Sequence, residues 1–238
     1  ADGAQCPYEA MELTAPAKIN LFLKVLGRRA DGYHELESLM VPLSLADRVR
    51  VDRSEAGIRV RCPGHPELDG QANLAHRAAR AWLERSRARL GVNILIKKKI
   101  PIQAGLGGGS SDAAAVLRAL QVISKKPLED KKLHQIAASL GADVPFFLGD
   151  GPTLARGIGQ RLTPVSGLVR FWVILACAPF GHQTRKVFES LKIPLTITGQ
   201  GDTHYDPHAW GFERLVAGLE NDLQPVGEAM NPVVARVR

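Results

Sequence analysis

Residues 101–111 read Pro-Ile-Gln-Ala-Gly-Leu-Gly-Gly-Gly-Ser-Ser, and no other stretch of the chain restricts the fold as tightly. Before it, Val92, Ile94 and Ile96 alternate with Asn93, Leu95 and Lys97, the two-residue period of a strand over 92–100. After it, residues 112–123 are rich in Ala and Leu and read as a helix. Strand, glycine loop and helix together make an anion-binding arrangement. Gly105, Gly107, Gly108 and Gly109 allow positive φ and carry no side chain, so the backbone at Leu106 and its neighbours can approach a ligand closely. Ser110 and Ser111 stand where the helix begins, and there unpaired N–H groups and the positive dipole end face an anion. One glycine is enough for a tight strand-to-helix turn. Four in five positions point to phosphate.

Several phosphate loops and catalytic signatures are excluded by residue identity. A Walker A loop needs Lys and then Ser or Thr after its last glycine, whereas Ser110 and Ser111 follow Gly109. A dinucleotide fingerprint needs Gly or Ala where Ser110 stands. The protein-kinase catalytic-loop and Asp-Phe-Gly signatures and the Gly-x-Ser-x-Gly elbow are missing. His34-Glu35 is not followed by the second histidine of a zinc-protease helix.

The rest of the chain reads as a mixture of strands and helices without internal repeats. Residues up to about 12 read as a loose arm, with no secretory-signal pattern. Strands are expected over 17–26, 36–45, 47–51 and 57–62, then a helix over 73–90 stopped by Gly91. A further helix over 133–140 leads into the turn 141–145. Residues 171–176 read as a buried strand, 184–191 as a short helix and 194–209 as a polar loop. Helices are expected over 212–219 and from about 221. Early strands followed by a mixed second half imply an α+β protein with two lobes, residues 1–155 and 156–238.

Composition narrows the partners. Lys and Arg outnumber Asp and Glu 31 to 24, a net charge of +7. The basic residues, among them Arg77, Arg80, Arg85 and Lys97, alternate with apolar positions instead of forming a tail. That pattern suits solvated faces and the steering of small anionic ligands, and argues against a nucleic-acid groove. Three widely spaced cysteines form no Cys-x-x-Cys pair, which fits a reducing, cytoplasmic setting without a zinc ribbon. No apolar run approaches the ~18 residues of a membrane span.

The glycine loop resembles that of the GHMP kinases, whose loop runs from a proline to Gly-Leu-Gly, small residues and Ser-Ser. Three further pieces resemble one branch of that family: Pro-Ala-Lys-Ile-Asn at 16–20, Ala-Asp-Gly-Tyr-His-Glu-Leu-Glu-Ser-Leu at 30–39 and Gly-Ala-Asp-Val-Pro-Phe-Phe-Leu at 141–148. Members of this branch use ATP to phosphorylate the 2-hydroxyl of 4-diphosphocytidyl-2-C-methyl-D-erythritol in non-mevalonate isoprenoid synthesis. The resemblance covers residues 13–226 and implies a two-lobed GHMP fold with an N-terminal ATP-binding lobe and a C-terminal substrate lobe. It also implies Mg²⁺ alongside ATP, and a small substrate carrying a cytidine diphosphate.

The resemblance assigns roles to particular residues. Lys18 and Asp143 would flank the substrate hydroxyl, Asp143 accepting its proton and Lys18 stabilising the developing alkoxide. Asn20 would orient substrate. Tyr33 would stack on the cytosine, His34 would bind its polar edge, and Phe188 would close the other face with Thr184 nearby. Asn73 and Lys98 would contact ATP together with Pro101 and residues 105–111. Asp112 is left with two readings, a Mg²⁺ contact or a helix cap. Family members also carry a third glycine-rich motif near the C-terminus. Residues 231–238, Asn-Pro-Val-Val-Ala-Arg-Val-Arg, show none, so the second lobe is expected to be incomplete. The rival readings are another GHMP kinase, acting on mevalonate or homoserine, and a non-catalytic sensor. The Tyr33-His34 pair argues against the first, and Lys18 with Asp143 against the second.

Overall fold

The computed structural model describes residues 9–124, 126–177, 187–188, 190–191, 212–230 and 233. The chain divides into two compact units that are discontinuous in sequence. The first comprises Ala1–Ala17, Leu43–Ile100 and Gly107–Asp150. The second comprises Lys18–Pro42, Pro101–Leu106 and Gly151–Arg238. Two long strands, β1 (Ala10–Arg28) and β2 (His34–Ser54), each contribute residues to both. The strands expected over 36–45 and 47–51 are therefore one strand. Only Ala46 lies between them, and it carries no turn chemistry that would interrupt the ladder.

The first unit adds β3 (Ile58–Arg61), α1 (Leu74–Ser86), β4 (Gly91–Lys97), α2 (Gly108–Ile123) and α3 (Asp130–Leu140). Its strands run in the order β3-β4-β2-β1. β4 is parallel to β3 and antiparallel to β2, with Val49 opposite Ile96 and Val51 opposite Ile94. The alternation read in the sequence buries Val92, Ile94 and Ile96 on one face of β4. α1 packs on α2 and α3. Trp82 of α1 is fully buried, and its Nε1 donates to Gln121 Oε1 at 3.0 Å. Each such large side chain removed from water contributes about 1.5–3 kcal/mol. α1 stops four residues before the expected end. Arg87 turns left-handed (φ 54°) and the Ser86 hydroxyl accepts from Ala88 N–H at 3.2 Å, so the chain leaves the helix ahead of Gly91.

The second unit adds β5 (Thr153–Gly157), β6 (Arg161–Pro164), α4 (Phe212–Ala217), β7 (Glu220–Asn221) and α5 (Gln224–Met230). Strand order is β6-β5-β2-β1-β7, with β7 parallel to β1. Leu21, Phe22, Leu39, Val41, Leu154, Val165 and Leu215 form its core. Glu37 is buried in β2 and accepts from Arg156 Nε at 2.6 Å, so this charge is paired rather than stranded. The buried strand expected over 171–176 is not formed. Phe171 packs against the core, but Trp172 is 99% exposed and Ile174 96%. An apolar run becomes a strand only when a neighbour accepts its backbone bonds, and none does so among the described residues. The helix expected over 184–191 lies mostly outside the described residues, and the loop over 194–209 entirely so.

Candidate active site

In the first unit the site is built on the start of α2. Gly107 is its N-cap, with φ 72°, a conformation that costs little only for glycine. Ser111 N–H closes the first helical bond onto Gly107 C=O at 2.9 Å. The amides of Gly108, Gly109 and Ser110 precede that bond and have no partner within the helix, which leaves them able to donate to an anion. Ser111 is buried, and its Oγ has no partner among the described residues. Gly108 does not need positive φ, contrary to expectation. A Cβ there would lie 3.1 Å from Ile100 Cγ2 and 3.2 Å from Lys98 Nζ, so its constraint is close packing from below.

Lys98 is held by a buried charge cluster. Its Nζ donates to Asp112 Oδ2 at 2.8 Å and to Asp47 Oδ2 at 2.5 Å. Asp47 is fully buried, and its other oxygen accepts the amides of Lys99 and Ile100. This carboxylate thus brackets the exit of β4 towards the glycine loop. Burial lowers the Lys98 pKa, but the attraction of Asp112 and Asp47 outweighs it and the net direction is up. Burial pushes Asp112 up to about 7 against the pull of Lys98, and Asp47 adds to the rise. Asp112 is not the helix cap, since α2 begins on Gly107 with no side-chain cap. The Lys98 ammonium, expected on ATP, is engaged with two carboxylates. The sequence reading missed Asp47. The available signal was an aspartate inside an apolar strand pattern, where that residue type is disfavoured.

Asn73 also has a local task. Its Oδ1 accepts from Ala75 N–H at 2.9 Å and caps α1, and its Nδ2 donates to Leu68 C=O at 2.7 Å. Asp143 is half-buried in the turn after α3. Val144, Phe146 and Phe147 beside it are buried, and the helical turn Phe146–Leu148 packs on α2. Those apolar anchors hold the turn that carries the carboxylate.

In the second unit Lys18 and Asn20 share one face of β1. Lys18 Nζ donates to Asn20 Oδ1 at 2.7 Å, and Asn20 Nδ2 donates to Ser38 Oγ at 2.6 Å. Lys18 N–H donates to Leu106 C=O at 2.9 Å, which fastens the loop residue beside Gly105 to β1. Pro101 is exposed. Tyr33 is 60% exposed, its N–H donating to Asp31 Oδ1 at 3.2 Å. The His34 and Phe188 rings lie 5.6 Å apart at 31°. His34 Nε2 is buried without a partner among the described residues. Burial, with the Arg28 charge adding, lowers the His34 pKa, so the ring is neutral near pH 7. An open aromatic face, a second ring and an unspent imidazole nitrogen suit a flat, polar-edged heterocycle. Thr184 lies outside the described residues. Lys18 and Asp143 belong to different units.

Comparison with known proteins adds the family. The family model "GHMP kinases N terminal domain" matches residues 73–151. The 4-diphosphocytidyl-2-C-methyl-D-erythritol kinase of Syntrophus aciditrophicus is 40% identical over 96% of this chain and 81% of its own length. The chain belongs to the 4-diphosphocytidyl-2-C-methyl-D-erythritol kinase family. Another member of the family, from Geobacter sp. strain M21, is 42% identical over the same shares. A crystal structure of 4-(cytidine 5'-diphospho)-2C-methyl-D-erythritol kinase superposes with a TM-score of 0.70 at 37% identity, over 96% of this chain and 81% of that one. The homoserine kinase of Cytophaga hutchinsonii, 20% identical with a TM-score of 0.59, shares the fold. The fold is thus the α+β GHMP kinase fold, in the form this kinase family gives it. Among the described residues, no group of three or more His, Cys, Asp or Glu could hold a metal ion. No described helix is long and apolar enough to cross a membrane.

Proposed function

We propose that the chain transfers the γ-phosphoryl group of ATP to the 2-hydroxyl of 4-diphosphocytidyl-2-C-methyl-D-erythritol, a step of non-mevalonate isoprenoid synthesis in the cytoplasm. The observation that carries this reading is identity of 40% to a kinase of that name across 96% of the chain. The amides of Gly108, Gly109 and Ser110 bind the ATP phosphates, and Gly107 sets their direction. Cytosine stacks on Tyr33 and Phe188, and neutral His34 hydrogen-bonds its polar edge. Asn20 orients the polyol. Asp143 aligns the hydroxyl and takes its proton late, because phosphoryl transfer is loose and its catalysis is mostly electrostatic. The Lys18 ammonium stabilises negative charge developing on the attacking oxygen.

The amide donors at α2 fit a triphosphate. Mg²⁺ is held chiefly by nucleotide phosphates in such sites, so a protein cage is not required. Bound together with ATP, the ion would supply neutralisation of the phosphate charge. The deciding experiment measures ADP release with ATP and 4-diphosphocytidyl-2-C-methyl-D-erythritol, mevalonate or homoserine in turn. Turnover with the cytidine substrate alone is expected. Turnover with mevalonate or homoserine in its place would overturn the reading.

A further inference from the structure

Lys18, Asn20 and Ser38 are joined by hydrogen bonds that begin on a backbone carbonyl. Ser38 lies inside β2, opposite Ala155 of β5, and is buried. Its Oγ donates to Phe22 C=O on β1 at 2.7 Å. A serine hydroxyl has one proton, so Oγ can then only accept. The end of the Asn20 amide that faces it must therefore be the NH₂, and Asn20 Nδ2 lies 2.6 Å away. The amide oxygen is thereby turned towards Lys18, whose Nζ donates to it at 2.7 Å. A flipped amide would set oxygen against the Oγ lone pairs and NH₂ against the ammonium, two repulsive contacts in place of two bonds. Lysine has a long stem with much rotamer freedom, and ordering it costs entropy unless an acceptor fixes its head.

We propose that Ser38 is a positioning residue for phosphoryl transfer: its hydroxyl, pinned to the β1 backbone, dictates the facing of the Asn20 amide and so holds the Lys18 ammonium in place. The proposal rests on the reading that Lys18 and Asn20 act on the substrate. Neither the glycine loop nor the aromatic cluster of the cytidine reading depends on Ser38. Its loss should therefore appear in kcat and leave the KM for ATP unchanged.

The test uses the full chain with Ser38→Ala, Ser38→Thr, Asn20→Ala, Lys18→Met and the Ser38→Ala/Asn20→Ala double variant, each followed by kcat, both KM values and thermal melting. Ser38→Ala should lower kcat about tenfold, the order expected for one buried hydrogen bond. Ser38→Thr, which keeps the hydroxyl, should recover most of that. In the Asn20→Ala background Ser38→Ala should have no further effect on kcat, since the group it positions is gone. Equal kcat losses in both backgrounds, tracking the melting temperature, would mark Ser38 as merely structural and overturn the proposal. Should the alanine variant not fold, Ser38→Cys, near in shape but a weak acceptor, is expected to give the same kcat loss. Full kcat in that variant would overturn the proposal equally. Lys18→Met sorts the two levels. If it stays active, the site reading itself fails. If it is inactive while Ser38→Ala turns over normally, only the positioning role fails.

Discussion

The cluster beneath the glycine loop makes a pH-dependent contribution to stability that can be worked out from its composition. Two carboxylates, Asp47 and Asp112, share one ammonium, and Asp112 Oδ1 is buried without a partner among the described residues. Burial raises Asp112 from 3.8 to about 7. The native state thus holds a proton that the unfolded chain has released, and stability falls as pH rises between those values. Below 3.8 the difference is fully present, and above about 7 it is gone. Between about pH 5.5 and 8.5 the loss is about 2 kcal/mol, from linkage at about 1.4 kcal/mol per pKa unit. Asp112→Asn removes the titration while leaving an oxygen for Lys98 and a one-to-one pair with Asp47. Urea unfolding at the two pH values is the assay. With a slope of roughly 2 kcal/mol per molar, the wild-type midpoint should fall by roughly 1 M more than that of the variant. Other groups titrate alike in both proteins and cancel. Parallel decline in both would refute the account. A wild-type midpoint that instead rises relative to the variant would mean that the pull of Lys98 exceeds the cost of burial.

Three further outcomes are expected. Asp143→Asn should lower kcat by about 10²–10⁴-fold with both ligands still bound, as for loss of a positioned proton acceptor. Near-normal kcat in single-turnover assays would remove Asp143 from the mechanism. Tyr33→Ala and Phe188→Ala should raise the KM for the cytidine substrate by roughly 5–100-fold, the equivalent of about 1–3 kcal/mol per stacked base. A change confined to the KM for ATP would show that the aromatic cluster serves the other nucleotide. Gly108→Ala should lower the melting temperature by several degrees, because its methyl group would press on Ile100 and Lys98 Nζ, which the carboxylates hold. Gly109→Ala meets nothing within 4 Å and should melt normally, so equal melting of the two variants would refute the packing argument.

Local chemistry was legible in the residues alone. The loop at 105–111, the start of α2 beside it and the alternation along β4 are set by interactions between near neighbours: backbone φ, orphan amides and a two-residue period. The turn carrying Asp143 was equally readable, from Gly141 and the apolar residues that follow. The early end of α1 was not, because it depends on a left-handed Arg87, a residue with no intrinsic preference for that conformation. The pairings that give side chains their tasks were also hidden. Lys98 meets Asp47 and Asp112, and Ser38 meets Asn20, across strands and helices far apart in the chain. A polar residue in an apolar pattern announces that it needs a partner, but not which one. Trp172 and Ile174 look like core by composition and are exposed, because burial depends on what packs over a segment. Residue identity determined the glycine turn that opens α2 and which kinase family the chain resembles. Tertiary structure decided which polar groups are satisfied by one another, because the cost of burying a charge or an amide is met only by a partner that folding brings within about 3 Å.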